Sequence, residues 1–243
     1  MTPASHPAER AFVWLGGAVF VAALAFCAYS YLVCWASPLG CTIIAGGGTL
    51  PPRRGWPSAA VDMGLFSLFA AHHSLFAHEP IKTRLARIVP NRLMRAVYVW
   101  TASLLLVLVC GLWRPIGFDL YDVTGWGAIA HGAVQIAGVL VIASSVRAID
   151  PLELAGIREG AGAGTLQITG PYRWVRHPLY FGWMLAVFGT AHLTGDRLAF
   201  AIISSAYLVI AIPWEEQALM RSTPDAYRRY KQQVRWRVVP YLY

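Results

Sequence analysis

The densest chemistry in the chain lies in Gly170–Gly182, Gly-Pro-Tyr-Arg-Trp-Val-Arg-His-Pro-Leu-Tyr-Phe-Gly, where two arginines, a histidine and two tyrosines crowd against the start of an apolar run. Pro178 lacks a backbone N–H and suits the first turn of a helix, and Gly170-Pro171 marks a turn before it. His177 is therefore expected at a helix N-terminus, where free N–H groups and the macrodipole favour an anionic ligand group. Tyr180 adds a ring and a hydroxyl, and Gly182 would let a ligand approach the backbone. A second polar pair, Glu215-Glu216, follows about thirty residues later. Between them lie two apolar runs, Pro178 to Leu193 and Arg197 to Pro213, separated by Thr194-Gly195-Asp196. Read as a helical hairpin whose arms of about 17 residues each rise about 25 Å, they return the glutamates to the depth of His177. The two clusters then form one site.

This stretch, taken with Glu215-Glu216 and the tyrosine-rich basic tail, resembles the integral-membrane methyltransferases of the isoprenylcysteine carboxyl methyltransferase and phospholipid N-methyltransferase superfamily. The pattern is Gly-Pro-Tyr, Arg-His-Pro-x-Tyr-x-Gly, then Glu-Glu, covering Gly170 to Tyr243. The resemblance implies S-adenosylmethionine as cofactor. It also implies that Tyr172, His177, Pro178, Tyr180, Gly182 and Glu216 contact it, with Arg176 and Glu215 beside them as the catalytic candidates. Where the family continues from Glu-Glu through Phe-Gly to Tyr-x-x-Tyr, this chain has Arg221-Ser222-Thr223-Pro224-Asp225 before Tyr227 and Tyr230. Tyr-x-x-Tyr survives, and Thr223-Pro224-Asp225 can cap a new helix. The alternative for Arg176 and the glutamates is an ordinary interfacial ion-pair set.

Composition sets the class. At 57% hydrophobic and 13% charged residues, with mean hydropathy +0.50, the 243 residues have too little polar surface for a water-soluble domain. The net charge of +8 is spread between apolar runs, so anionic lipid headgroups rather than nucleic acid are the expected counter-charge. The four cysteines form no Cys-x-x-Cys pair and read as small hydrophobes.

The elements that must position the site follow from the apolar runs. Ala11 to Trp35 has no charge and is long enough to cross a bilayer; residues 36–57 are Gly- and Pro-rich and read as a loop. Ser58 to His78 is a second, more polar span carrying Asp62, His72 and His73. Asp62 and His73 are eleven residues apart and share a helical face, so they are either satisfied by neighbouring helices or functional. His72 and His73, with Tyr227, are the candidate acceptor contacts. No His-Glu-x-x-His spacing is present, and no metal site is expected. Residues 80–95 read as a basic amphipathic helix broken at Pro90. The order of this N-terminal half also resembles the methanethiol S-methyltransferase and NnrU-like proteins of the same superfamily, which tilts the acceptor toward a small molecule. Spans three and four are expected at Ala96 to Trp113 and Trp126 to Val146, with His131 and Gln135 pairing with each other or with Asp62. The glycine-rich connection from Arg147 to Thr169 reads as a lid.

The expected protein is all-α: a polytopic helical membrane protein of about six spans, with a C-terminal hairpin and interfacial amphipathic helices. Residues 1–147 form the scaffold and acceptor side, and residues 148–243 the methyltransferase core. With both ends cytoplasmic, sixteen of the twenty Lys and Arg residues lie inside, as the positive-inside rule requires, and the site faces the cytoplasm of a bacterial-type inner membrane. The expected reaction is S-methylation of a small thiol such as methanethiol, with no obligate protein partner. The rivals are methylation of a lipid amine or an isoprenylcysteine carboxylate, and a non-catalytic NnrU-like factor.

Overall fold

The computed structural model describes residues 6–37, 55–76, 79–157 and 166–243. The triple glycine at 46–48, Cys41, His78 and the middle of the expected lid lie outside the described residues. In chain order the elements are α1 (Pro7–Leu32), a 3-10 turn (Cys34–Ala36), α2 (Trp56–Leu75), α3 (Glu79–Leu85), α4 (Asn91–Gly111), β1 (Asp119–Asp122), α5 (Gly125–Ile149), the single turn α6 (Pro151–Leu154), a 3-10 turn (Gly170–Arg173), α7 (Pro178–Phe188), β2 (His192–Thr194), α8 (Gly195–Ser222) and α9 (Pro224–Gln233). Among the described residues, four helical segments, Pro7–Ala36, Asn91–Gly111, Gly125–Ile149 and Gly195–Ser222, are long and apolar enough to cross a membrane. Much of their surface is apolar and outward-facing, as at Val21, Leu104, Ile136, Leu140 and Ile202, which suits lipid rather than water. This is an all-α integral membrane protein.

The chain divides into two compact units, Met1–Gly117 with Leu152–Glu159, and Phe118–Pro151 with Gly160–Tyr243. In the first, α1 packs along α4. Gly16 leaves room for the Trp100 indole, since a Cβ there would lie 2.7 Å from Nε1. The same indole donates to the Phe12 carbonyl at 3.1 Å and stacks on the Phe12 ring. Near the N-terminal ends of the same two helices, Arg92 forks onto both oxygens of Glu9. Asp62 on α2 is fully buried, and its Oδ1 accepts the Arg114 N–H of a neighbouring segment at 2.8 Å. Cys27 and Cys110 are free and buried. Cys34 is disulfide-bonded, which corrects the reading of all four cysteines as plain small hydrophobes.

The second unit holds the residues of the motif. Its two long contacts are α5 against α7 and α7 against α8. The first is a crossing at two glycines: a Cβ on Gly182 would lie 2.8 Å from the Gly138 carbonyl, and one on Gly138 would lie 2.6 Å from the Gly182 carbonyl. Gln135 donates to the Ala186 carbonyl at 2.9 Å and His131 packs on Tyr121, so these two do not pair with each other.

The hairpin differs from the expected pair of equal helices. α7 stops at Phe188 after 11 residues, and the chain continues extended into β2, which pairs antiparallel with β1 in the register Asp119↔Thr194, Tyr121↔Leu193 and Asp122↔His192. Gly189 allows the change because a side chain there would meet the Leu185 carbonyl at 2.5 Å. The helix supplies about 16 Å of the roughly 32 Å that the first 21 residues of α8 return, and the six residues from Gly189 to Thr194, which could span up to about 20 Å, cover the rest. The return arm, in turn, does not end at Pro213: α8 runs on to Ser222 and carries Glu215 and Glu216 on its last turns.

The glycine crossing generates a stability prediction. Gly182→Ala should lower the melting temperature of the detergent-solubilised protein, with a destabilisation of about 1–3 kcal/mol typical of overpacking. Gly132→Ala, on the same helix as Gly138 but with nothing among the described residues within 4 Å of its Cβ position, should leave stability unchanged or raise it by up to about 1 kcal/mol.

Candidate functional site

The site is organised around a carboxylate that has left water. The Glu216 side chain on α8 is 7% exposed and that of Arg176, from the motif, is 6% exposed; Arg176 Nε donates to Glu216 Oε1 at 2.7 Å. The other side of the guanidinium is also used, Nη1 donating to the carbonyls of Val234 at 2.8 Å and Arg235 at 2.7 Å. One arginine thus ties the motif to the end of α8 and to the chain after α9. Buried pairs of this kind are held by geometry and by satisfied hydrogen bonds rather than by attraction alone.

Glu215, one residue earlier, points to a more open position, with 40% of its side chain exposed. It accepts a hydrogen bond from the Tyr180 hydroxyl and lies 3.5 Å from His177 Nδ1. The Tyr180 ring stacks on the His177 imidazole at a centroid distance of 5.3 Å. His177 Nε2 in turn faces Glu216 Oε1 at 3.6 Å. Burial alone would lower the His177 pKa, but the carboxylates of Glu215 and Glu216 that face its two ring nitrogens outweigh it and hold the imidazole above its ordinary 6.5. The hairpin therefore brings His177, Tyr180, Glu215 and Glu216 together.

The tail closes this set. The backbone N–H groups of Arg176 and His177 donate to the carbonyls of Trp236 at 2.9 Å and Arg237 at 2.7 Å, so the tail lies against the motif like a short strand. Arg237 Nε stands 3.6 Å and Lys231 Nζ 3.9 Å from Glu216 Oε2. Nothing in the residue types announces the backbone part, because any residue offers a carbonyl. Lys231 on α9 and Arg237 in the tail were legible only as part of a basic run.

The remaining candidates fall around this centre. Pro178 opens α7 with His177 as the preceding cap residue. The His177 N–H, one of the groups expected to be free at that helix start, is occupied by the tail. Tyr172 accepts from the Tyr230 hydroxyl on its carbonyl at 2.7 Å, and burial raises its own pKa. Tyr227 is fully buried, and Tyr230 is pushed up to about 12, again by burial. The side-chain position of Gly182 faces α5 and serves helix packing. Beside the centre, Thr169, Gly170, Arg173, Tyr230 and Val234 line a cleft of about 470 Å³. His72 and His73 belong to the first unit, where the Tyr98 hydroxyl bonds His73 Nδ1 and the His72 ring stacks on Tyr98.

Comparison with known proteins gives this geometry its context. The isoprenylcysteine carboxyl methyltransferase (ICMT) family matches residues 161–221, which contain the motif and both glutamates. The methanethiol S-methyltransferase of Pseudomonas sp. (strain GM41(2012)) is 32% identical over 96% of this chain and 95% of its own length. The chain belongs to this superfamily of membrane methyltransferases, in the methanethiol S-methyltransferase branch. The methanethiol S-methyltransferase of Mycobacterium tuberculosis is 32% identical over 73% of this chain and 76% of its own, and nurim of Danio rerio 27% over 85% and 81%. No solved structure matches. As a methyltransferase the protein requires a methyl donor. The matched family segment ends at residue 221, before α9 and the tail that complete the site.

Two outcomes follow from this geometry. Arg176→Ala leaves the Glu216 charge buried without its main partner, and unfolding in detergent should show a loss of about 3–5 kcal/mol. His177, with its pKa raised in the folded state, contributes its stabilisation fully below about pH 6.5 and loses it as pH climbs through the folded value. The wild-type melting temperature should therefore fall between pH 6 and pH 9, and His177→Gln should flatten that part of the profile.

Proposed function

We propose that the second unit binds S-adenosylmethionine and that the protein uses it to S-methylate a small thiol such as methanethiol. The observation that carries this reading is the convergence of His177, Tyr180, Glu215 and Glu216 in a chain near-full-length similar to a methanethiol S-methyltransferase. The donor set fits the cofactor's chemistry: a half-open carboxylate suits an ammonium or ribose hydroxyls, and buried polar atoms at His177, Tyr227 and Arg237 without hydrogen-bond partners among the described residues suit further polar groups.

S-adenosylmethionine supplies a methyl already activated on a sulfonium, so a thiol gives up its proton, takes the methyl and leaves S-adenosylhomocysteine. The protein then needs no nucleophile of its own; it must hold, orient and keep out water. Glu215 accepts from the cofactor's donors, and Tyr180 sets the direction of that carboxylate through its hydroxyl. The stacked rings of Tyr180 and His177 offer aromatic faces to a cation. Arg176 and Glu216 keep the motif, α8 and the tail in register. Tyr172 and Pro178 shape the approach.

The crossing count supports six spans when α2, at 20 residues, and α7 with its extended continuation are added to the four long apolar helices. The basic asymmetry supports a cytoplasmic site. The disulfide at Cys34, at the far end of α1 from the N-terminus, supports an oxidising compartment there, since disulfides persist outside the cytoplasm. Basic residues at the inner ends would meet anionic lipid.

Calorimetry with S-adenosylhomocysteine tests the donor site. Glu215→Gln should keep the melting temperature, because the side chain is half-open, yet weaken binding about 10- to 100-fold, as expected for loss of a charge-assisted hydrogen bond of about 1.5–3 kcal/mol. Transfer of labelled methyl across a panel of thiols, amines and prenylcysteines should label thiols. Labelling of prenylcysteine or amine alone would move the acceptor to one of the rivals.

A further inference from the structure

Three buried polar atoms around Glu216 have no hydrogen-bond partner among the described residues: His177 Nε2, Tyr227 Oη and Arg237 Nε. They come from three separate segments, the motif, α9 and the tail. His177 Nε2 and Arg237 Nε each stand 3.6 Å from the Glu216 carboxylate, one at each oxygen, beyond a good hydrogen bond. Tyr227 is 1% exposed and close enough to feel the same charge. Glu216 itself is already engaged by Arg176.

A buried donor left unpaired is unfavourable, and three at one place indicate capacity kept for a ligand. The guanidinium N–H can only donate, and the hydroxyl and imidazole can also donate. Cations outnumber acids here, with Arg176, Lys231 and Arg237 against Glu215 and Glu216 before His177 is counted. A donor-rich cluster with more cations than acids suits a carboxylate. Three contacts hold Arg237 in place to receive one. Its carbonyl accepts the His177 N–H at 2.7 Å, its Nη1 donates to the Tyr243 hydroxyl at 2.9 Å, and its guanidinium lies 5.2 Å over the Tyr243 ring. About a third of its side chain remains exposed, so a ligand can reach it.

We infer that Arg237, with the Tyr227 hydroxyl, binds the carboxylate of the amino-acid portion of the methyl donor. The inference rests on the S-adenosylmethionine reading and adds to it two residues beyond the segment matched by the family.

The test compares two ligands by calorimetry on the full chain in detergent. S-adenosylhomocysteine carries the amino-acid carboxylate; 5′-methylthioadenosine keeps the adenosine and thioether without it. Arg237→Gln should weaken S-adenosylhomocysteine about 10- to 50-fold and change methylthioadenosine by less than about twofold. Tyr227→Phe, which removes one hydroxyl and keeps the ring, should show the same selectivity at about 3- to 10-fold. Unchanged melting temperatures establish that both variants are folded; if Arg237→Gln unfolds, Tyr227→Phe decides alone. Binding of S-adenosylhomocysteine unchanged in the folded variants, or both ligands weakened equally, overturns the inference and leaves the cofactor reading standing. Failure of the wild type to bind either compound overturns the cofactor reading itself, and the inference with it.

Discussion

A carboxylate buried at the end of a membrane helix must find partners, and most of the second unit can be understood as the means of supplying them to Glu216. Desolvating a lone carboxylate is costly by several kcal/mol, and the attraction of a single cation rarely compensates without further hydrogen bonds. Here the main cation, Arg176, is itself satisfied by two carbonyls of the tail, so the pair is stable only when three segments are present together. That requirement couples the motif before α7, the end of α8 and the residues after α9 into one cooperative object. It also leaves Glu215 free to face outward, because the structural burden falls on its neighbour.

The lengths of the connecting elements serve the same end. α7 is too short to cross a bilayer alone, and the extended residues that follow it make up the distance before α8 returns. The β1–β2 ribbon anchors that far end. There Tyr121 donates to the Thr190 carbonyl at 3.1 Å, and Arg197 donates to the His192 carbonyl at 2.7 Å. At the middle, Gly138 and Gly182 let α5 and α7 approach to backbone contact, the small-residue packing that membrane helices use where no hydrophobic drive separates lipid from protein. A motif glycine thus serves rigidity beside the site.

Much of this was legible in the residues. The spans at α1, α4 and α5 follow from long apolar runs, the break at Pro90 falls just before α4, and the meeting of His177 with the glutamates follows from an out-and-back hairpin, although its first arm is a short helix continued by non-helical chain. What was not legible has physical causes. The ribbon uses strands of four and three residues whose pairing partners are about seventy residues apart, and so short a stretch carries no periodicity. Pro213 reads as a helix end, yet α8 continues through it with one backbone bond fewer. Gly182 reads equally as a ligand approach or a helix crossing, and the crossing becomes visible only with the position of Gly138. The tail's part is played by carbonyls, which side-chain identity does not encode. The assignment of Arg176 to Glu216 rather than Glu215 depends on which way each carboxylate turns on the last turns of α8.

If the buried pair holds the donor site together, ligand binding should be felt at once in all three segments that it joins. Hydrogen exchange of the full chain in detergent, with and without saturating S-adenosylhomocysteine, reads this directly. The account predicts concerted slowing of exchange at residues 172–182, 212–218 and 234–243. Saturated binding with protection absent from these three segments, or confined to one of them, would contradict it.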